Sequence, residues 1–195
     1  MGRRFAEIAF TPAVKEEQER HGSRRQYQRV EEQGEPGDRL GPHERAFIQA
    51  RDGFYMSTIS ETGWPYIQYR GGPKGFLKIL DDRTLGFADL GGNMQYISTG
   101  NLKLNDRVAL FLMDYPHQRR LKILGNVQVH EGDSEAKKWI DTLKTDERNS
   151  RPERAYVIRV AAFDWNCPQH ITQRFTIEEL QMLKAQGSLD DLPSR

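Results

Sequence analysis

Cysteine is nearly missing from this chain: Cys167 is the only one among 195 residues. A lone thiol cannot close an internal disulfide, which removes the disulfide-stapled secreted domains and makes a reducing, cytoplasmic setting the expectation. Long apolar runs are missing as well. The opening MGRRFAEIAFTPAV lacks the apolar centre of a signal peptide, and no later stretch approaches the roughly 18 apolar residues of a membrane span. Charge of one sign is not in excess, with 29 Lys and Arg against 28 Asp and Glu, so nothing global favours a nucleic-acid or membrane-surface partner. There is no GxGxxG after a strand, no GxxxxGK[ST], no HExxH, no GxSxG and no pair of CxxC knuckles, which excludes most nucleotide triphosphatases, zinc peptidases and α/β-hydrolases. The five histidines are scattered, and Cys167 with His170 falls short of the three or four ligands of a zinc site, so no metal is expected. As a nucleophile Cys167 lacks an activating base held by a third group, and Pro168 restricts it to extended geometry.

What is present suits one core. With 36% apolar side chains the chain reads as a single globular body, residues 42–195, preceded by a helical arm and linker over 1–41. Thr11-Pro12 opens a helix over the polar stretch Ala13 to Arg29, expected to lie on another surface, to wrap a partner subunit or to stay solvated. EEQGEPGDRLG has turn residues and no apolar period and reads as a connector, and a short helix follows from Pro42 to Arg51. From Phe54 the period becomes that of strands. FYMSTIS and PYIQYR flank a turn with Gly63 at positive φ; FLKIL and TLGFAD form a second hairpin; RVALFLMD, RLKILGNVQVH and RAYVIRVAAF follow, the last two separated by a helix from Ser134 to about Leu143. GGNMQYISTGNLKLN, Gly91 to Asn105, spaces its apolar residues loosely like a helix. Thr176-Ile-Glu-Glu179 is a capping box for a last helix that Gly187 ends. The fold class is mainly β with peripheral helices, an α+β arrangement around a small antiparallel barrel.

Two stretches suit a phosphorylated aromatic ligand. YRGGPKGFLK sets Arg70, Lys74 and Lys78 around three glycines, where backbone can approach a ligand and cations can meet an anion or a carbonyl-rich ring edge. GGNMQYISTGNLKLN offers Asn93, Ser98, Thr99 and Asn101 at the start of a helix, a place that favours phosphate. HQRRLKI adds Arg119 and Arg120 at a strand entry. Hairpin glycines and solvated arginines would account for either stretch alone.

Taken in order, PYIQYR, the Gly-rich turn, GFLK, TLGFAD, GNMQYISTGNLKLNDRVALFLMDYP and RRLKILGNVQV resemble the pyridoxamine 5′-phosphate oxidase-like family of FMN-binding split barrels, over roughly Pro42 to Val160. AFDWNCPQHITQRFT resembles the C-terminal signature of its pyridoxamine 5′-phosphate oxidase-related flavoprotein branch. The resemblance implies a six-stranded antiparallel split β-barrel, a homodimer, and FMN in clefts between subunits. It implies an FMN-dependent oxidoreductase acting on a small-molecule redox substrate, a nicotinamide cofactor among the candidates, or a flavin-binding or sensing module with little turnover. Carried over, Arg70 and Phe76-Leu77-Lys78 would line the flavin ring, with Phe87 and Ala88 at a strand end touching it. Asn93, Tyr96, Ser98 and Asn101 would flank ring and phosphate, and Arg120, with Arg119 beside it, would reach the phosphate. Trp165, Asn166 and Gln169 would wall the cleft, with His170 as a polar contact and Cys167 as a small buried filler. Trp64 and Trp139 read as core or interface packing. The Arg, Leu and His pattern with which the pyridoxal-phosphate-forming oxidases hold substrate is missing, so the substrate and any catalytic acid or base stay unassigned.

Overall fold

The computed structural model describes residues 1–145, 151–165 and 167–187. One antiparallel sheet of seven strands forms the body: β1 (Gly53–Ile59), β2 (Pro65–Gly71), β3 (Lys78–Ile79), β4 (Thr84–Leu90), β5 (Arg107–Asp114), β6 (Arg119–His130) and β7 (Pro152–Trp165), in the order β2-β1-β5-β6-β7-β4-β3. Period-2 alternation builds the interior. Phe54 and Met56 of β1, Leu110 and Leu112 of β5, Leu121 and Ile123 of β6, Leu85 and Phe87 of β4, and Tyr156 and Ile158 of β7 all point into one buried cluster. The sheet remains open between its two edges, β2 and β3, which makes it a split barrel. The seventh strand is the two-residue β3, short because the Gly-rich turn before it takes up the rest of the connection.

Helices α4 (Pro42–Gln49), α5 (Ile97–Leu102), α6 (Ser134–Leu143) and α7 (Ile177–Ala185) follow the expected positions, but α5 is only six residues long. The capping box of α7 forms, Thr176 Oγ1 accepting from the Glu179 amide and the Glu179 carboxylate from the Thr176 amide. Gly63 takes φ +84° in the β1–β2 turn. Trp139 packs partly buried with Ile140 against Leu143 and Ala155, whereas Trp64 is 75% exposed on that turn.

The arm differs from the single helix expected. It folds as α1 (Arg3–Ala9), α2 (Pro12–Arg20) and α3 (Arg24–Gln33), because His21-Gly22 turns the chain with Gly22 at φ +74°. Nor does it lie free. Amides of Arg3 and Arg4 donate to the carbonyls of Glu35 and Pro36, the Phe163 amide of β7 donates to the Gly37 carbonyl, and Leu40 is buried in the barrel core. The helices thus rest on their own barrel through α1 and the connector.

Candidate functional site

At the split of the barrel a polar cleft of about 160 Å³ opens between the inner face of β2, the end of β4, the start of β7 and the loop into α5. Strand parity explains its lining. Arg70 and Gln68 face inward opposite Phe54 and Met56 of β1, Asp89 continues the inward series of Leu85 and Phe87, and Arg154 precedes Tyr156 on the same face of β7. Where the apolar core ends, these strands place charged residues instead.

Asp89 is the hub. Its buried carboxylate takes Arg70 Nη1 at 2.5 Å and Arg154 Nη1 at 2.7 Å. Arg154 also gives Nε to Glu131 at 2.9 Å and Nη2 to Glu153 at 2.6 Å. Burial works against the Arg154 guanidinium, yet the Asp89 and Glu131 carboxylates hold its pKa above the ordinary arginine value. Arg70 lies over the stacked pair Phe87 and Tyr156, and its Nε is buried without a hydrogen-bond partner. Arg154 lies over the half-exposed ring of Tyr96 at 5.1 Å. Burial, then the Asp89 charge, pushes the Tyr156 phenol up, so it stays protonated at neutral pH.

Helix α5 is pinned by its own polar side chains. Ser98 Oγ donates to Gln68 Oε1 at 3.2 Å, Thr99 and Tyr156 share a hydroxyl bond of 2.8 Å, and Asn101 Nδ2 donates to Thr58 Oγ1 at 3.0 Å. The groups read from sequence as a phosphate cradle are those that fasten this helix to β2, β7 and β1.

Of the residues expected at the site, the cleft brings together Arg70, Asn93, Tyr96 and Ser98. Phe76, Leu77 and Phe87 turn their side chains into the core, with Phe76 stacked on Phe54 at 5.6 Å, while Lys78 and Ala88 are half-buried on β3 and β4. Asn101 lies behind the cleft on α5. Arg119, Arg120, Trp165 and Gln169 are elsewhere: the eleven steps along β7 from Arg154 to Trp165 span about 35 Å. There Trp165 Nε1 donates to Glu44 at 2.8 Å, its ring packs on Phe47 and His43, and Arg119 lies over it at 4.9 Å while also bonding His43. Burial raises the Glu44 pKa, but the bonds from Trp165 and the Gly41 amide outweigh it and leave the carboxyl below its usual range. Arg120 keeps a buried Nε without a partner. Gln169 and His170 are exposed, and Cys167 is exposed too, not the buried filler expected: residues 167–170 lie on the surface, and it is Ile171 after them that is buried, its carbonyl accepting from Gln118. Asn166 lies outside the described residues. Among the described residues no group of three metal-ligating side chains forms, and no helix is long and apolar enough to cross a membrane.

Sequence reading missed Gln68, Asp89, Glu153 and Arg154. The signal was the parity of their strands: each stands at or beside a position where an inward apolar series gives way to a polar residue.

A second concavity, about 510 Å³, lies on the outer face of β1, β2, β5 and β6 and is mostly apolar, lined by Phe5 of α1 and by Tyr55, Ile67, Phe111, Met113 and Leu124 among others. Ile67 of β2 is 64% exposed there, and Tyr69, packed against Tyr55 beside it, is 56% exposed.

Residues 40–166 match the family described as pyridoxamine 5′-phosphate oxidase. The chain belongs to that family. Its fold is similar to that of HupZ from Group A Streptococcus, with TM-score 0.50 and 14% identity over 70% of this chain and 99% of that one. It is equally similar to a putative pyridoxamine 5′-phosphate oxidase from Lactobacillus delbrueckii, with TM-score 0.50 and 21% identity over 65% of this chain and 94% of that one. At these identities the likeness is one of fold. No curated protein sequence matches the chain.

Proposed function

We propose that this protein is a flavin-binding oxidoreductase of the pyridoxamine 5′-phosphate oxidase family, holding FMN at the split of the barrel and acting on a small reduced molecule, a nicotinamide among the candidates. The observation that carries the reading is Arg70, a cationic side chain that lines the cleft and whose buried Nε has no hydrogen-bond partner among the described residues, in a chain whose family takes a flavin. Such a group lacks an acceptor until a ligand brings one. Flavin, when bound, supplies the redox chemistry. The chain's own residues would orient it: Arg70 by its free donor, Tyr96 by its ring, and Gln68 and Asn93 by their amides.

The cleft is too small for a whole tricyclic flavin, since drug-sized ligands occupy about 300 Å³ or more. A second copy docked on the apolar outer face of β1, β2 and β5 would complete it, and a homodimer with sites between subunits accounts for two further facts. Among the described residues the apolar face is covered only at its margin, by Phe5 of α1, and Arg119, Arg120, Trp165 and Gln169 do not line their own cleft.

A second reading, a flavin-holding module with little turnover, is favoured by one observation: the carboxylates Asp89 and Glu153 and the guanidinium of Arg154 in the cleft are all tied in ion pairs. A visible spectrum tests the shared part. Bands of bound flavin near one per chain are expected, and a colourless protein that takes up no added FMN refutes both readings. Anaerobic NADH or NADPH then separates them, with bleaching and reoxidation in air expected of the oxidoreductase.

A further inference from the structure

We propose that the segment from Gly91 to Tyr96 is a gate on the cleft and that Tyr96, held under the Arg154 guanidinium, is its latch. The inference rests on the flavin reading above, since flavin is the ligand whose entry the gate would control.

The segment forms one wall of the cleft and is held to little else. All its residues are exposed, and five in a row, Gly92 to Tyr96, line the cavity. Both flanks are firm. Leu90 still pairs with Pro152 of β7, and beyond the segment Ser98 and Thr99 are buried and bonded to Gln68 and Tyr156. Between these flanks, among the described residues, no backbone group of 91–95 bonds to another backbone group. The bonds that exist run inside the loop, from the Gln95 amide to Asn93 Oδ1 and from Asn93 Nδ2 to Gln95 Oε1, so it can swing as one piece. Sparse backbone bonding of this kind marks the segments that open most readily.

The observed pose needs a fastening. Met94 and Tyr96 stand at φ +57° and +51°, left-handed conformations that residues other than glycine adopt under strain. Gly91-Gly92 precedes them, and a side chain at 92 would meet nothing, so the chain can pivot there. What holds the other end is the Tyr96 ring against Arg154, 5.1 Å from its centre. Arg154 is a fixed post, bonded to Asp89, Glu131 and Glu153, whereas the Tyr96 ring is 48% exposed and can leave it. The enclosed volume, about 160 Å³, is below the roughly 300 Å³ at which small-molecule sites begin. Docking a second copy extends the cleft outward, and a shift of this wall widens the part already enclosed.

Stopped-flow mixing of the full-length, flavin-free protein with increasing FMN, read by flavin fluorescence, tests this. Where a gate must open first, the observed rate levels off as FMN rises. Such a plateau is the expected result, and a rate that stays proportional to FMN up to the limit of mixing overturns the gate. Tyr96→Leu, which removes the aromatic face, should raise the plateau about threefold or more, while Tyr96→Phe, which keeps it, should leave the plateau within about twofold. Equal plateaus in the wild type and Tyr96→Leu overturn the latch. Should the Leu variant not fold, Gly92→Ala, whose added methyl meets nothing but stiffens the pivot, should lower the plateau, and an unchanged plateau there is the contrary result. No fluorescence change at any FMN concentration removes the flavin reading as well, whereas a linear rate with FMN bound removes the gate alone.

Discussion

Asp114 illustrates how one residue sets the protein's response to acid. Burial pushes its carboxyl up, but the bond from His117 Nδ1 at 2.9 Å and the Arg51 guanidinium at 3.2 Å outweigh burial and hold it below the usual aspartate range. A carboxyl whose folded pKa lies below its unfolded value, about 3.9, contributes stability that is complete above that value and is lost as pH falls through the folded one. Glu44 has the same sign. Denaturant melts between pH 7 and 3 should therefore show stability falling below about pH 4, with a shallower fall in Asp114→Asn. Tyr156→Phe removes the hydroxyl bond to Thr99 without touching the stack on Phe87. A loss of about 1 kcal/mol is expected in urea melts, the net worth of one such bond with the Thr99 hydroxyl left behind.

At the scale of elements, α7 and α5 are opposites. Helix α7 buries no residue and depends on its capping box, so Thr176→Ala should speed amide exchange in 177–185 while leaving the global melting midpoint within about 2 °C. Helix α5 is shorter but buries Ser98, Thr99 and Leu102 and is bonded to three strands, so its amides should be among the slower to exchange. This contrast also marks what the sequence made legible. The box Thr176 to Glu179, the alternation in the barrel strands and the helix over 134–143 are local patterns, and all formed where expected. The hydroxyls of 98–101 read as a ligand cradle because nothing local says that Gln68, Tyr156 and Thr58 stand opposite them; strand order supplies those partners. The same holds for Asp89, an ordinary strand end in sequence and an ion-pair hub once β2 and β7 lie on either side. Arg70, Asn93, Tyr96 and Ser98 share one cleft because they cluster near turns, whereas Trp165 and Arg119 are separated from them by the length of a strand.

For the whole molecule, the outer face around Ile67 is the feature that needs covering. An apolar concavity of about 510 Å³ with Tyr55 and Ile67 exposed in it, and Tyr69 exposed beside it, exceeds what isolated surface residues present. Ile67→Glu puts a charge at its centre without altering any inward residue of β2, and sedimentation velocity should find the wild-type protein dimeric and the variant monomeric at micromolar concentration. Strand β2 carries this surface on one side and Gln68 and Arg70 of the cleft on the other, one residue apart along the chain. On the proposed reading, ligand occupancy and self-association would meet in the same seven residues, and by thermodynamic reciprocity whatever one did to the stiffness and position of β2 the other would feel. Diluting the protein should release its ligand, and adding ligand should hold the assembly together at dilutions where it otherwise dissociates.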